Sequence, residues 1–283
     1  MESKKLAIVG IFYDGYYDVW EDFLELKERF WKDCPYPLYI INQSQKLSFK
    51  KEYNVTVINA GVDAEYSKKV QTAIEKIDAD YLLLLLEDFF MSHEISGGIF
   101  DKTIKFMKEH DIYYYSMPLS EFMVIGDGKK YNGINYLYDV SPKKNYTLNC
   151  QPAIWEKDFL RRCIGTGNYN AWIFEGIYIK SQKAHTEEFL KKCKIDSRNV
   201  LGLRHGVLQG YLFPDLVKYY TSIGYKIKNK RPILPYSIRI KRWIRFHMPA
   251  FILRTVKKHV SGQSVVSKYS KEIDIQMTAM GLV

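Results

Sequence analysis

The amino-acid sequence predicts a layered α/β fold, a mixed and mostly parallel sheet flanked by helices, and three observations predict it. Leu6-Ala-Ile-Val-Gly-Ile-Phe12 is a short apolar run rich in β-formers, ended by the turn signal Tyr13-Asp14-Gly15. Tyr81 to Leu86 is apolar at every position, the pattern of a strand covered on both faces in the middle of a parallel or mixed sheet. Helix-like spacing separates these runs, so strands and helices alternate in the order that builds right-handed crossovers.

Taken along the chain, Val19, Phe23, Leu26 and Phe30 recur at helical spacing, with Asp18 and Glu21 as a capping pair at the start. Cys34-Pro35-Tyr36-Pro37 stops this helix, because proline cannot continue it. Leu38 to Ile41 and Val55 to Asn59 read as the second and third strands, and Val70, Ala73, Ile74 and Ile77 mark one face of a second helix before the strand at Tyr81. A helix over Phe100 to His110 and a strand over Ile112 to Met117 follow, then a loop through Gly126-Asp127-Gly128. Asn145 to Cys150 is expected as a strand leading into a helix over Trp155 to Cys163. Pro232 and Pro235 break the chain before a basic amphipathic stretch. The expected organisation is one domain over 1–230 and a basic helical C-terminal extension over 231–283.

Composition narrows the function. A chain of 283 residues, 47% apolar and 26% charged, can bury a sizeable core and is not generally disordered. The run from Tyr81 to Leu86 is far short of the roughly 20 apolar residues of a membrane span. The N-terminus lacks the apolar stretch and cleavage site of a signal peptide, so a cytoplasmic location is expected. Cys34, Cys150, Cys163 and Cys193 have no Cys-x-x-Cys spacing and read as reduced thiols. Of the net charge of +10, all the excess lies late: Leu216 to Lys271 holds 14 Lys or Arg and no acid, against 28 basic and 30 acidic residues before it. Such a segment suggests a polyanionic partner.

The strand at Tyr81 runs directly into Glu87 and Asp88. In open α/β sheets ligands bind beyond the carboxyl ends of strands, and carboxylates there suit Mg²⁺ or Mn²⁺, which neutralises a diphosphate. The plainer alternative is a polar strand end. At the end of the first strand, Asp14 and Asp18 lie beside Tyr13, Tyr16 and Trp20, groups able to bond a ribose and stack on a base; a turn residue and a helix cap are the alternatives. Glu175 follows two aromatic residues, Trp172 and Phe174, which can raise a carboxyl pKa into the range of a general base; otherwise it is a first-turn helix acid. His205, with Arg204, could bind a metal or phosphate or be structural.

Five segments, in order, carry a resemblance: Tyr13 to Trp20, Asp33 to Tyr39, Glu87-Asp88-Phe89-Phe90, Leu148 to Trp155, and Trp172-Ile173-Phe174-Glu175. Together they resemble a family of bacterial GT-A-type glycosyltransferases of surface polysaccharide synthesis, capsular or O-antigen, over roughly residues 6–230. The resemblance implies a GT-A-like, Rossmann-like sheet and transfer of a hexosyl or N-acetylhexosaminyl group. The donor would be a nucleotide sugar, UDP-linked by preference, and the acceptor a glycan or lipid-linked glycan. It places Glu87 and Asp88 on an acidic motif for Mn²⁺ or Mg²⁺, Asp14 on the nucleotide side of the donor and Glu175 as the general base. From their positions in the sequence, His205 is expected to join Asp88 on the metal, and Glu87, Tyr13 and Arg204 to join Asp14 on the donor; the expected displacement is inverting, with a retaining reaction as the alternative. One departure is that the acids are adjacent rather than Asp-x-Asp, so one carboxylate would hold the cation or a side chain such as Arg204 would replace it.

Arg239, Lys241, Arg242 and Arg245 interleave with Ile238, Ile240, Trp243, Ile244 and Phe246, as in an interfacial helix on anionic lipid. This predicts peripheral binding to the inner face of the membrane; a solvated basic helix packed on the core is the alternative. A nucleic-acid partner is not expected, because no recognisable binding motif is present. A nucleotidyltransferase would share the sheet but normally has a glycine-rich phosphate loop, where only Gly10 and Gly15 stand here. An inactive glycosyltransferase-like scaffold would lack nucleotide binding.

Overall fold

A computed structural model describes residues 5–119, 129–142, 147–240 and 265–283. The first half of the chain runs β1 (Leu6–Ile11), α1 (Tyr17–Phe30), β2 (Leu38–Asn42), β3 (Thr56–Asn59), α2 (Tyr66–Lys76), β4 (Tyr81–Leu85), β5 (Phe89–Met91), α3 (Ile99–Glu109), β6 (Tyr114–Ser116) and β7 (Leu137–Asp139). The second runs β8 (Ala153–Glu156), α4 (Lys157–Ile164), α5 (Ala171–Lys180), α6 (Glu187–Leu190), β9 (Cys193–Asp196), β10 (Leu203–His205), β11 (Val207–Leu208), β12 (Tyr211–Leu212) and α7 (Pro214–Ser222). Near the C-terminus lie α8 (Val265–Lys268) and α9 (Ser270–Ala279).

Eight strands form one mixed sheet in the order β3-β2-β1-β4-β8-β6-β9-β7. β3, β2, β1 and β4 are mutually parallel, β8 is antiparallel to both β4 and β6, β9 is parallel to β6, and β7 is antiparallel at the edge. Alternation explains why β4 is apolar throughout: Tyr81, Leu83 and Leu85 enter one core with α1 and α3, while Leu82 and Leu84 enter the other with α2, α4 and α5. Helices thus cover both faces, as the sequence predicts.

Three local expectations are corrected. The turn Asp14–Tyr16 is a 3-10 helix and the N-cap of α1 is Tyr16, with no side-chain cap, so Asp18 is not the cap. Residues 147–150 form bends rather than a strand; 145–146 lie outside the described residues. The strand is Ala153–Glu156, after Pro152, because Ala153, Ile154 and Trp155 are the residues that pack on both faces. Glu156 then caps α4, accepting from the amides of Asp158 and Phe159. Gly126-Asp127-Gly128 lies outside the described residues.

Both ends of the expected extension over 231–283 pack on the core. Leu234 is buried and donates its amide to Leu212. Residues 236–240 are helical. At the far end α9 lays Ile273 and Met277 into the core beside α5, and Lys180 pairs with Asp274. The basic run from Lys241 to Lys258 lies outside the described residues.

Asp22 on α1 anchors the chain as it returns towards 231. This fully buried carboxylate accepts the Tyr225 hydroxyl at 2.7 Å, the amides of Lys228 and Asn229 at 2.8 and 3.1 Å, and Asn229 Nδ2 at 2.8 Å. Hydrogen bonds to a charged group contribute more than neutral ones, and removing the acceptor strands the buried donors. Asp22→Ala should therefore lower the unfolding free energy by about 3 kcal/mol in a urea titration. A loss below about 1 kcal/mol would show that the turn holds without its carboxylate.

Candidate active site

The candidate site lies where β1 and β4 end side by side, Gly10 opposite Leu85. Beyond β1 the chain reaches Tyr13 and Asp14; beyond β4 it reaches Glu87 and Asp88. Asp14 accepts the amides of Gln43, Ser44 and Gln45, the Ser44 hydroxyl and Asn42 Nδ2, all at 2.9–3.1 Å. Partial burial works to raise its pKa, but these bonds prevail and hold the carboxyl below its ordinary range. Both oxygens are thus engaged in folding the loop after β2 against the β1 end. Tyr13, 51% exposed, is left as an open aromatic face at this corner.

Behind Tyr13 sits a buried lysine. Lys69 on α2 donates Nζ to the Phe12 carbonyl at 2.7 Å. Burial lowers its pKa, against the opposing charges of Glu87, Glu65 and Asp14. Glu87 is buried as well; desolvation, and then the charge of Asp88, push its pKa up to about 8, while Lys69 and the Tyr13 amide act the other way.

Asp88 differs from its neighbour. Its side chain is 19% exposed, and Oδ1 is buried with no hydrogen-bond partner among the described residues. Oδ2 lies 3.7 Å from His205 Nδ1. Burial pushes its pKa up to about 7, opposed by the charge of Arg231. The β5–β10 ribbon sets this geometry, pairing His205 with Phe89 and Arg204 with Phe90. The Gly206 amide donates to the Asp88 carbonyl at 2.7 Å, and a Cβ at Gly206 would come within 3.0 Å of that oxygen. A side chain there would press on that carbonyl, so glycine eases the close approach of the two backbones.

Adjacent residues on a strand point to opposite faces, so β10 separates Arg204 from His205. Arg204 stacks on the Tyr219 ring at 3.9 Å, on the α7 side. The cation acting on Asp88 is instead Arg231, held by Asp18 through Nε and Nη2 at 2.7 and 2.6 Å and stacked over Tyr16 at 3.9 Å. This ion pair is also what occupies Asp18 in place of the expected cap. An open cleft of about 570 Å³ runs beside it, lined by Asp18, Gly210, Lys228, Asn229, Lys230 and Arg231.

Glu175 approaches from the other core. Asn170 caps α5 by accepting the Ile173 amide at 3.1 Å, which places Glu175 in the second turn rather than the first. The Cys150 amide donates to Glu175 Oε1 at 3.1 Å. Burial raises the pKa of Glu175, only partly offset by that bond. Burial raises the pKa of Cys150 as well, and the charges of Glu175 and, more weakly, Asp88 act in the same direction. Trp172, one turn before Glu175, is 56% exposed.

These residues fit a divalent cation in part. Asp88 offers an unsatisfied oxygen and His205 an imidazole beside it, but no group of three or more His, Cys, Asp or Glu is assembled among the described residues. An ion held here would take its remaining ligands from phosphates and water, as Mg²⁺ usually does. The four cysteines are free thiols. No helix among the described residues is long and apolar enough to cross a membrane.

No family model and no curated protein matches this chain. Among solved structures it is similar to residues 1–349 of S. aureus TarS, with a TM-score of 0.44 and 13% identity over 69% of this chain and 58% of that one. TarS is also seen in complex with UDP, at 12% identity, a TM-score of 0.44 and the same coverage. A Drosophila β-1,4-galactosyltransferase 7 variant with manganese, UDP-Gal and xylobiose gives 0.37 and 11% over 73% and 72% of the two chains. A nucleotidyl transferase from Methanothermobacter gives 0.40 and 13% over 71% and 91%. At such identities a likeness assigns no chemistry.

Two of the charged groups at the site escaped the sequence reading. Lys69 carried a signal, since it falls on the buried stripe of α2 with Tyr66 and Ala73, where a lysine needs a reason. Arg231 carried none; it is one cation in a basic run until the fold seats it on Asp18.

Proposed function

We propose that this chain is a nucleotide-sugar-dependent glycosyltransferase, moving a hexosyl or N-acetylhexosaminyl group, UDP-linked by preference, to a hydroxyl of a glycan or lipid-linked glycan. The observation that carries the reading is the Asp88 carboxylate beyond β4, with a buried oxygen that has no hydrogen-bond partner among the described residues and with the charge of Arg231 acting on it. Opposite charges at the carboxyl end of a sheet suit a substrate that holds a diphosphate next to a reacting carbon.

In this reading Tyr13 stacks on the base and Asp14 shapes the loop that receives the ribose. Asp88 and His205 would hold a Mn²⁺ or Mg²⁺ ion, whose chemistry would be to neutralise negative charge on a diphosphate. Arg231 and Lys69 add positive charge at that end, Arg231 in the place Arg204 was expected to fill. Glu87 holds the Tyr13 loop by accepting the Tyr13 backbone amide. Glu175, with Oε1 held by the Cys150 amide, takes the proton of the acceptor hydroxyl as that oxygen attacks the anomeric carbon. The C–O bond to the nucleoside diphosphate breaks on the opposite side, which inverts the configuration. The basic segment after residue 231 holds the protein on the anionic inner face of the membrane, where a lipid-linked acceptor of surface-polysaccharide synthesis would be found.

A thermal-shift panel of UDP, GDP, CDP and dTDP with and without Mn²⁺ tests this. A ligand of the folded state adds about 2.7 kcal/mol at a hundredfold excess over its Kd. UDP with Mn²⁺ is expected to give the largest shift, and a radiolabelled UDP-sugar should then label a glycan acceptor. No shift with any nucleotide, metal present or absent, would remove the proposal.

A further inference from the structure

A second cavity, of about 390 Å³, opens between α3, β6, β7 and the chain after β9. Its volume falls within the roughly 300–1,000 Å³ of small-molecule sites. It lies on the same rim as Asp88, because β6 and β9 run in the direction of β4 and Arg198 follows the end of β9. In the order β4-β8-β6-β9 that is three strands along, about 14 Å at ~4.8 Å per strand.

The lining is selective. Arg198 is fixed: Asp196, fully buried, accepts from Nε and Nη2 at 3.0 and 2.6 Å and also takes the Tyr115 hydroxyl at 2.7 Å. The guanidinium lies on the Tyr136 ring at 3.5 Å with the side chain 37% exposed, and Nη1 is left out of these bonds. Lys102, exposed in the first turn of α3, lines the cavity with no ion-pair partner among the described residues. Phe106 and Leu137 supply apolar wall. A nucleobase would need an open ring face, but Tyr136 is covered by Arg198, and Phe106 packs on His110 at 4.3 Å. A neutral sugar would leave Lys102 unused.

We propose that this cavity binds a sugar unit carrying a carboxylate or a phosphate. Resting on the glycosyltransferase reading, it is the subsite for an anionic unit of an extended acceptor, set back along the rim from the hydroxyl that reacts at Glu175.

The test titrates the whole chain with methyl β-D-glucuronide, glucose 6-phosphate and, as neutral control, methyl β-D-glucoside, followed by ligand-observed NMR. One of the two anionic sugars is expected to bind about tenfold tighter than the control, and which one tells carboxylate from phosphate. Lys102→Glu should weaken that binding about tenfold, Lys102→Arg should retain it, and both should keep the UDP thermal shift of the parent. Lys102 is exposed, so neither change threatens folding. Equal binding of all three sugars, or an unchanged affinity in Lys102→Glu, overturns the proposal. If UDP shifts the protein and no anionic sugar binds, the subsite fails and the transferase reading stands. If anionic sugar binds in a Lys102-dependent way and no nucleotide does, the cavity is a sugar site and the transferase reading falls.

Discussion

Glu175→Gln is expected to reduce sugar transfer by about 10²–10⁴-fold while the UDP shift persists and the melting temperature does not fall. The loss follows from removing the only proton acceptor in the second turn of α5, and the geometry survives because glutamine keeps an oxygen for the Cys150 amide. Stability moves the other way for an electrostatic reason. Burial raises the pKa of Glu175, so its stabilising contribution is complete below the unfolded value and is lost as pH rises through the folded one. Once pH has passed that folded value, the parent bears the cost of a buried charge that glutamine lacks. The same raised pKa sets the acid limb of the parent's kcat profile above the ordinary glutamate range. A variant with parental activity, or an acid limb at an ordinary glutamate pKa, would move the base elsewhere.

Asp88→Asn is expected to lower transfer by about 10²–10³-fold and to abolish the Mn²⁺-dependent part of the UDP shift. The fold should tolerate the change. The ribbon is held through the Asp88 main-chain carbonyl, which asparagine retains, and burial already pushes the free carboxyl up to about 7. What asparagine cannot supply is the anionic oxygen that lies buried without a partner. Full activity with an undiminished Mn²⁺ effect would take Asp88 out of the cation site and leave Arg231 as the charge that balances the diphosphate.

These two residues were found in different ways. Asp88 stands at the end of the most apolar run in the chain, and strand ends in open sheets are where ligands gather, so position alone singled it out. Glu175 was singled out by its aromatic neighbours, yet its hydrogen-bond partner Cys150 lies 25 residues away and depends on how the loop before β8 folds. Arg204 shows the limit most plainly. It adjoins His205 in sequence, but strand alternation sends the two to opposite faces, and Arg204 stacks on Tyr219 instead of meeting Asp88.

The sequence by itself determined the alternation of strands and helices, the two-faced central strand, and the acids at its end, because hydrophobic period and strand termini are local properties of the chain. The tertiary structure alone decided which cation faces those acids. Arg231 meets Asp18 across 213 residues, and Lys69 is a core lysine only because α2 packs its stripe against the end of β1. Ion pairs and buried charges are set by which surfaces the packed layers bring together, and no local spacing in the sequence encodes that meeting.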